Sequence, residues 1–526
     1  MKPYLQLLFG LISCQSVYSV FKSLVFNMHM FQLNGYRAST HFQWLKKNFR
    51  HYLPELIVLA LSFTGFVTYE ALMGFCALAL FIGIFALIVS NRNRPAKKPL
   101  VYTPRVKRMI FTVVILLVAS YSAAIYFLTT PDRKNMSFFV IGLINALMPL
   151  YIPLANLINK PVEKGVNAHY TREAKRMLKA CPDLQTIGIT GSYGKTSMKF
   201  YLYTILRAWT DTLVTPESYN TPMGIVKTVR GSLSAVHKIF LCEMGAKWVG
   251  DIKELCYIVH PKHGIIVSLG DQHLESFGSR ENIIKTKYEL ADSLPENGRL
   301  YVCWDNDIIR ANPPKHKFIK YGLREDCDYR AYDIETTDKG TFFTVEAPDG
   351  EKERFETKLI GGHVVMNITG AIAAANGFGM KLSEMKLYVR RIEAVPHRMQ
   401  LVEKGSVTVI DDAFNSNPAG CRAALNTLSS MNGERILVTP GMVELGEKEF
   451  ELNEEFGREA SAACDYIVLI GAKQTEAIKK GVLEAGFPEN RLLVFEEFSE
   501  AMKKVYSLST EKKKIVLLEN DLPDNY

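Results

Sequence analysis

The sequence predicts an α/β protein preceded by N-terminal transmembrane helices, and three observations carry that reading. Residues 1–160 contain long apolar runs almost free of acids. Residues 184–206 read as a buried strand, a glycine turn and a helix. From 406 onward, short apolar strands alternate with amphipathic helices. With 526 residues, 48% of them hydrophobic, there is material for several cores. The expected division is a transmembrane region of four or five helices over 1–160, an α/β domain carrying the glycine turn over 161–395, and a Rossmann-like domain over 396–526.

Charge is as unevenly spread as hydropathy. Residues 1–160 hold 16 Lys and Arg against three acids, Glu55, Glu70 and Asp132, a net of +13; the whole chain is +9, which leaves −4 for the remainder. The basic balance therefore belongs to the first third and does not suggest a nucleic-acid partner. Four stretches, 53–69, 71–90, 109–130 and 137–159, approach or reach the roughly 20 apolar residues that a helix needs to cross a bilayer. A fifth, 4–26, is apolar but interrupted by Lys22. The segment 91–108 carries seven Lys and Arg and no acid, which places it in the cytoplasm and, two spans later, the rest of the chain with it. The expected location is a multi-pass cell-membrane protein with cytoplasmic catalytic domains. Nine cysteines without a CxxC pair argue against a zinc ribbon and read as reduced thiols.

The glycine turn is GITGSYGKTS at 188–197, between the strand LQTIGIT and the helical run that Lys195, Thr196 and Ser197 open. Glycines at 188, 191 and 194 let backbone amides approach phosphate oxygens, Ser192 is expected to bind the nucleotide with Gly191 and Gly194, and the helix N-terminus adds a favourable dipole. Lys195 supplies a charge for the β and γ phosphates, and the Thr196 hydroxyl is placed to ligate Mg²⁺. ATP and Mg²⁺ are the cofactors expected. Glu243 follows the apolar run KIFLC, so its carboxylate should stand at the carboxyl edge of a strand, where open α/β sheets bind ligands.

Seven further blocks, in order, resemble those of the Mur ligases, which join amino acids to cell-wall precursors: SYNTPMGI at 218–225, LCEMGAKWVGDI at 241–252, GDQHLESFGSRENIIKTKYEL at 270–290, GGHVVMNITGAIAAA at 361–375, VPHRMQ at 395–400, DDAFNSNPAG at 411–420 and GMVELGE at 441–447. The resemblance implies a P-loop Mur-ligase central domain that phosphorylates a carboxylate and gives the acyl phosphate to an amine, releasing ADP and phosphate. It implies that Glu243 and Thr196 hold one Mg²⁺ and His273 helps hold a second. Lys287 aligns with a lysine that several members carry as a carbamate. Asn367, Asp412, Phe414, Asn415 and Asn417 would lie by the nucleotide, with Phe414 stacked on adenine and Arg398 reaching the phosphates. From the residues alone, Asn417 and Pro418 also read as the N-cap and first position of a helix.

The partners expected are ATP, an amino acid or dipeptide as amine donor, a carboxylate acceptor that a membrane protein can take in lipid-linked form, and the membrane itself. Addition of D-alanyl-D-alanine is the nearest activity. A poly-γ-glutamate type of ligase and a non-catalytic membrane scaffold are the alternatives. The chain departs from the family pattern in having membrane spans where a UDP-gripping domain is usual. It also has His397 and Gly441 where glycine and an acid are common.

Overall fold

The computed structural model describes residues 3–67, 73–90, 99–130, 134–337, 340–405, 407–413 and 416–521. These form two compact units, one ending at Ala168 and the other spanning His169–Asp521.

The first unit is helical. Its helices Leu7–Leu33 and Pro104–Thr129 are long and apolar enough to cross a membrane. A third crossing results if Met136–Ala146 and Met148–Lys179, bent by 73° at their junction, form one broken span. This is fewer than the four or five spans expected, for two reasons. Leu53–Val67 is only 15 residues long, and the segment 68–72 that would join it to Met73–Ser90 lies outside the described residues. The stretch 137–159 breaks where Pro149, with no amide hydrogen, opens a new helix. The basic segment 91–98 and the turn 131–133 also lie outside the described residues.

Polarity in this unit is partly inverted. Only 11% of the apolar window of Pro104–Thr129 is buried, with Phe111, Ile115 and Val118 turned outward. Polar side chains meet inside: the Asn145 amide donates to Ser16 Oγ at 2.7 Å, and Ser16 Oγ lies 2.7 Å from the Tyr121 hydroxyl. A water-soluble bundle would reverse that arrangement; an apolar solvent favours it.

The second unit contains two sheets. The first is built from β1 (Gln185–Thr190), β2 (Thr212–Val214), β3 (Ile239–Glu243), β4 (His263–Ile266), β5 (Leu300–Cys303), β6 (Ile319–Gly322), β7 (Tyr329–Thr337), β8 (Gly340–Glu346) and β9 (Lys352–Thr357). Their order is β2-β3-β1-β4-β5-β6-β7-β8-β9, parallel as far as β7 and antiparallel beyond it. The parallel strands are continuous apolar runs, because helices cover both faces; Ile187, Leu241 and Ile265 are fully buried. Helix Gly362–Gly377 packs closely because its inward residues are small, and a β-carbon at Gly370 would lie 2.6 Å from the Tyr321 ring.

The second sheet holds β10 (Gln400–Lys404), β11 (Val407–Asp412), β12 (Glu434–Thr439), β13 (Tyr466–Ile470), β14 (Leu492–Phe495) and β15 (Lys514–Glu519). The order is β10-β11-β15-β12-β13-β14, with only β10 antiparallel. The last strand in sequence thus inserts beside β11, and Asp412 and Glu519 face each other at the carboxyl ends of neighbouring strands.

Candidate active site

The phosphate loop leaves β1 at Thr190 and enters the helix Lys195–Leu206 through two glycines that the geometry requires. Gly194 has φ 78°, and at Gly191 (φ 148°) a β-carbon would lie 2.4 Å from Val267 Cγ2. The loop is tied to the next one: the amides of Ser192 and Tyr193 donate to the Ser268 carbonyl at 2.8 and 3.1 Å. Ser192 Oγ donates to the Gly270 carbonyl and accepts from its amide. Lys195 Nζ folds over the loop and donates to the carbonyls of Gly191 and Ser192 at 2.8 and 2.9 Å. Burial brings its pKa down to about 8, against the pull of Glu243 and with a smaller push from Arg398.

Glu243 ends β3 beside this loop and is 1% exposed. Its Oε1 accepts from Thr196 Oγ1 at 3.2 Å and from the Asn220 amide at 3.0 Å. Lys199 Nζ stands 3.0 Å from Oε2, an ion pair with both partners buried. No hydrogen-bond donor is aligned on Oε2 among the described residues. Lys199 follows Lys195 by one helical turn, so the two lysines share a face. That spacing was the signal for Lys199, which the sequence reading passed over. Asn220 sits in the segment 218–225, and it reaches Glu243 because Gly245 leaves room: a β-carbon there would lie 2.7 Å from Asn220.

Lys287 is 2% exposed on the helix Arg280–Asp292, with Nζ 5.8 Å from the centre of the Phe277 ring. Burial, reinforced by the charge of Lys195, holds its pKa well below the usual lysine range; Asp251 and Glu289 oppose this weakly. His273 does not join a metal-type cluster: among the described residues no three His, Cys, Asp or Glu side chains group to hold an ion. Its Nδ1 instead meets Glu444 Oε2, and Lys247 Nζ meets Glu444 Oε1 at 2.7 Å. Glu444 belongs to the following domain and was not among the residues singled out, although its block was.

That domain also contributes Arg398. Residues His397 and Met399 on either side adopt left-handed backbone (φ 59° and 49°), which the chain holds by bonding His397 Nδ1 to Asp411 and the Met399 amide to Asp412. The carboxylates acting on Arg398 are Asp412, Glu243 and Glu519, so it stands between the two sheets' carboxyl edges. Burial raises Asp412 to about 6, with Arg398 opposing. Asn417 caps the helix Pro418–Ser429, accepting from the Gly420 amide at 2.7 Å. Six of the expected nucleotide residues, Gly194, Ser197, Asn367, Arg398, Asp412 and Asn417, line one cavity of about 420 Å³, joined by Lys358 and His363. Phe414 and Asn415 lie outside the described residues.

Glu519, like Lys199 and Glu444, is not among the residues to which the sequence motifs point. It is 1% exposed, and its Oε1 accepts from Ser416 Oγ and, at 3.2 Å, from Cys421 Sγ. Burial and the neighbouring Asp412 raise its pKa to about 8. A carboxyl that binds its proton more tightly folded than unfolded makes the protein lose stability as pH rises from the ordinary carboxylate range to about 8. Glu519→Gln should therefore melt higher than the parent above about pH 8, and the gap should close near about pH 5. A variant that melts lower at the alkaline end would show that Glu519 is folded as a stabilised anion.

A phosphate loop at the carboxyl edge of one sheet, met by an arginine from a second α/β domain, defines a two-domain nucleotide-dependent enzyme. Comparison with known proteins sharpens that class. Residues 189–375 match the Mur ligase middle domain and residues 397–519 match the Mur ligase glutamate ligase domain. The chain is 30% identical over 324 residues to the UDP-N-acetylmuramoyl-tripeptide–D-alanyl-D-alanine ligase of Bacillus subtilis, covering 61% of this chain and 70% of that one. It is 31% identical over 303 residues to the Escherichia coli ligase of the same name, covering 56% and 66%. Among solved structures, MurF from Acinetobacter baumannii matches with a TM-score of 0.61 and 26% identity, over 67% of this chain and 77% of that one. MurF from Thermotoga maritima, solved with ADP, matches with a TM-score of 0.61 and 25% identity, over 68% and 80%. The chain belongs to the Mur ligase family and is an ATP-dependent, ADP-forming amide ligase.

Proposed function

We propose that this is a membrane-anchored ligase of peptidoglycan or related envelope synthesis, which activates a carboxylate as its acyl phosphate and joins it to D-alanyl-D-alanine or a similar amine. Residues 161–395 would bind the phosphates and 396 onward would close over them. The observation that carries the reading is Glu243, held at the end of β3 between Thr196, Asn220 and Lys199, directly beside the phosphate loop.

The chemistry explains the cations. A triphosphate and a carboxylate repel each other, so their approach requires positive charge at the point of transfer. Lys195 would leave the Gly191 and Ser192 carbonyls for the β and γ phosphates, whose charge restores its full protonation. Arg398, from the other domain, would meet the phosphates from the opposite side. Thr196 Oγ1 and Glu243 Oε1 are hard oxygens 3.2 Å apart, near the roughly 3 Å between adjacent ligands of octahedral Mg²⁺. They fit that ion, which when bound would neutralise phosphate charge; His273 is proposed for a second. Lys287, whose pKa burial lowers, is proposed as the lysine that carries the carbamate.

The inverted polarity of the first unit supports membrane anchoring, and anchoring in turn supports a lipid-linked acceptor. The test is ADP release by detergent-purified protein, crossing D-Ala-D-Ala, Glu, Asp and Gly with soluble UDP-linked and lipid-linked carboxylates. Release with D-Ala-D-Ala and a lipid-linked carboxylate is expected. Turnover of the soluble acceptor alone would remove the lipid-linked part of the proposal. Glutamate incorporated into an acid-precipitable polymer would favour the poly-γ-glutamate reading, and no ADP with any pair would favour a scaffold.

A further inference from the structure

Glu444 lies on the last domain, yet its carboxylate meets Lys247 and His273 of the central one. Oε1 meets Lys247 Nζ at 2.7 Å, Oε2 meets His273 Nδ1, and the Glu444 carbonyl accepts from the Glu275 amide at 3.3 Å. An exposed Lys–Glu pair alone would contribute little. Here one carboxylate is shared by two cationic or proton-bearing groups, and a backbone bond runs alongside. The residue adopts φ 65°, a conformation that side chains other than glycine hold only where the surroundings impose it. Those surroundings are rigid: buried Asn453 bonds the Met442 amide and carbonyl, each at 2.9 Å, and the Asn520 amide donates to the Gly441 carbonyl. At Gly446 (φ 63°) the chain comes within van der Waals reach of Glu275: a β-carbon would lie 3.5 Å from its Cα.

We propose that Glu444 is a positioning residue for the ligase reaction: it seats the last domain on the central one and fixes the orientation of the His273 ring through Nδ1. The proposal rests on the ligase reading for its consequence in turnover but not for the contact itself. A histidine whose one ring nitrogen is held by a carboxylate presents the other in a fixed direction; for histidines that serve a metal, loss of such a partner typically costs about 10- to 100-fold in affinity or activity. Because the carboxylate comes from the other domain, that orientation exists only when the domains meet.

The experiment uses full-length protein in detergent and compares Glu444→Ala, Glu444→Asp and the parent. Hydrogen exchange at residues 273–278 should accelerate roughly tenfold in Glu444→Ala, because the Glu275 amide loses its cover when the domain lifts. The value of kcat for ADP release should fall about 10- to 100-fold with the affinity for ATP changed less than about threefold. Glu444→Asp should recover part of both. Unchanged exchange at 273–278 would overturn the proposal, as would full turnover by Glu444→Ala. If the parent releases no ADP at all, the ligase reading fails, while the exchange comparison still decides whether Glu444 seats the domain.

Discussion

Lys195→Ala should lower ADP formation by about 10²- to 10³-fold, the cost of removing one preorganised charge from a site that gathers anions. Among the described residues the lysine bonds the carbonyls of Gly191 and Ser192, at 2.8 and 2.9 Å. Each such bond is worth about 1 kcal/mol, so the variant should remain folded and melt only slightly below the parent. Its neighbours Lys199, Lys287 and Arg398 cannot substitute. Lys199 is committed to Glu243, Lys287 is buried on the helix Arg280–Asp292, and Arg398 approaches from the other domain. Lys195→Arg should not rescue, since a planar fork does not replace a point charge inside a loop this tightly bonded. ADP release measured on equal amounts of folded protein decides the matter. A Lys195→Ala variant within about tenfold of the parent would mean that the loop does not carry the chemistry.

Glu243 and Lys199 should show the second large effect, this time on stability as well as turnover. Both are essentially inaccessible to water, and their charges lie 3.0 Å apart. Glu243→Gln leaves a buried ammonium without its counter-charge, and Lys199→Met leaves a buried carboxylate without one; removing one partner of such a pair typically costs about 3–5 kcal/mol. The double variant Lys199→Met with Glu243→Gln removes both charges and should recover most of that loss, because the desolvation cost of the pair disappears with it. It should nevertheless remain without ADP release, since Glu243 is the carboxylate beside Thr196. Melting curves of the two single variants and the double variant form the cycle that measures this coupling. If the double variant loses as much as the two single variants added together, the pair is not energetically coupled. If it retains ligase activity, Glu243 is not the group that serves the phosphates.

Much of the second unit is readable from patterns of neighbours along the chain. The strands VTVIDD, RILVT, YIVLI, LLVF and KIVLLE appear where the sequence alternates apolar strand and amphipathic helix, because burial on both faces demands a continuous apolar run. The same logic exposes Glu243 as an acid ending an apolar strand. Applied once more, it would have exposed Glu519, which ends KIVLLE in the same way. Asn417 and Pro418 open their helix as the local turn chemistry requires. The helical first unit is harder to read. Hydropathy counts apolar residues and is blind to a break such as the one at Pro149, so it overstates the number of spans that the described helices support.

The sequence by itself determined the phosphate loop, its glycines, the strand-end carboxylate and the order of the domains. Each of these is a local arrangement set by backbone geometry or by the period of burial. Tertiary structure alone decided that Lys199 neutralises Glu243, that Glu519 stands beside Asp412, and that His273 meets Glu444. These pairs are separated by 44 to 171 positions in the chain. Their energies depend on exclusion from water and on a few ångströms of distance, which only the packing of strands and the meeting of two domains can supply.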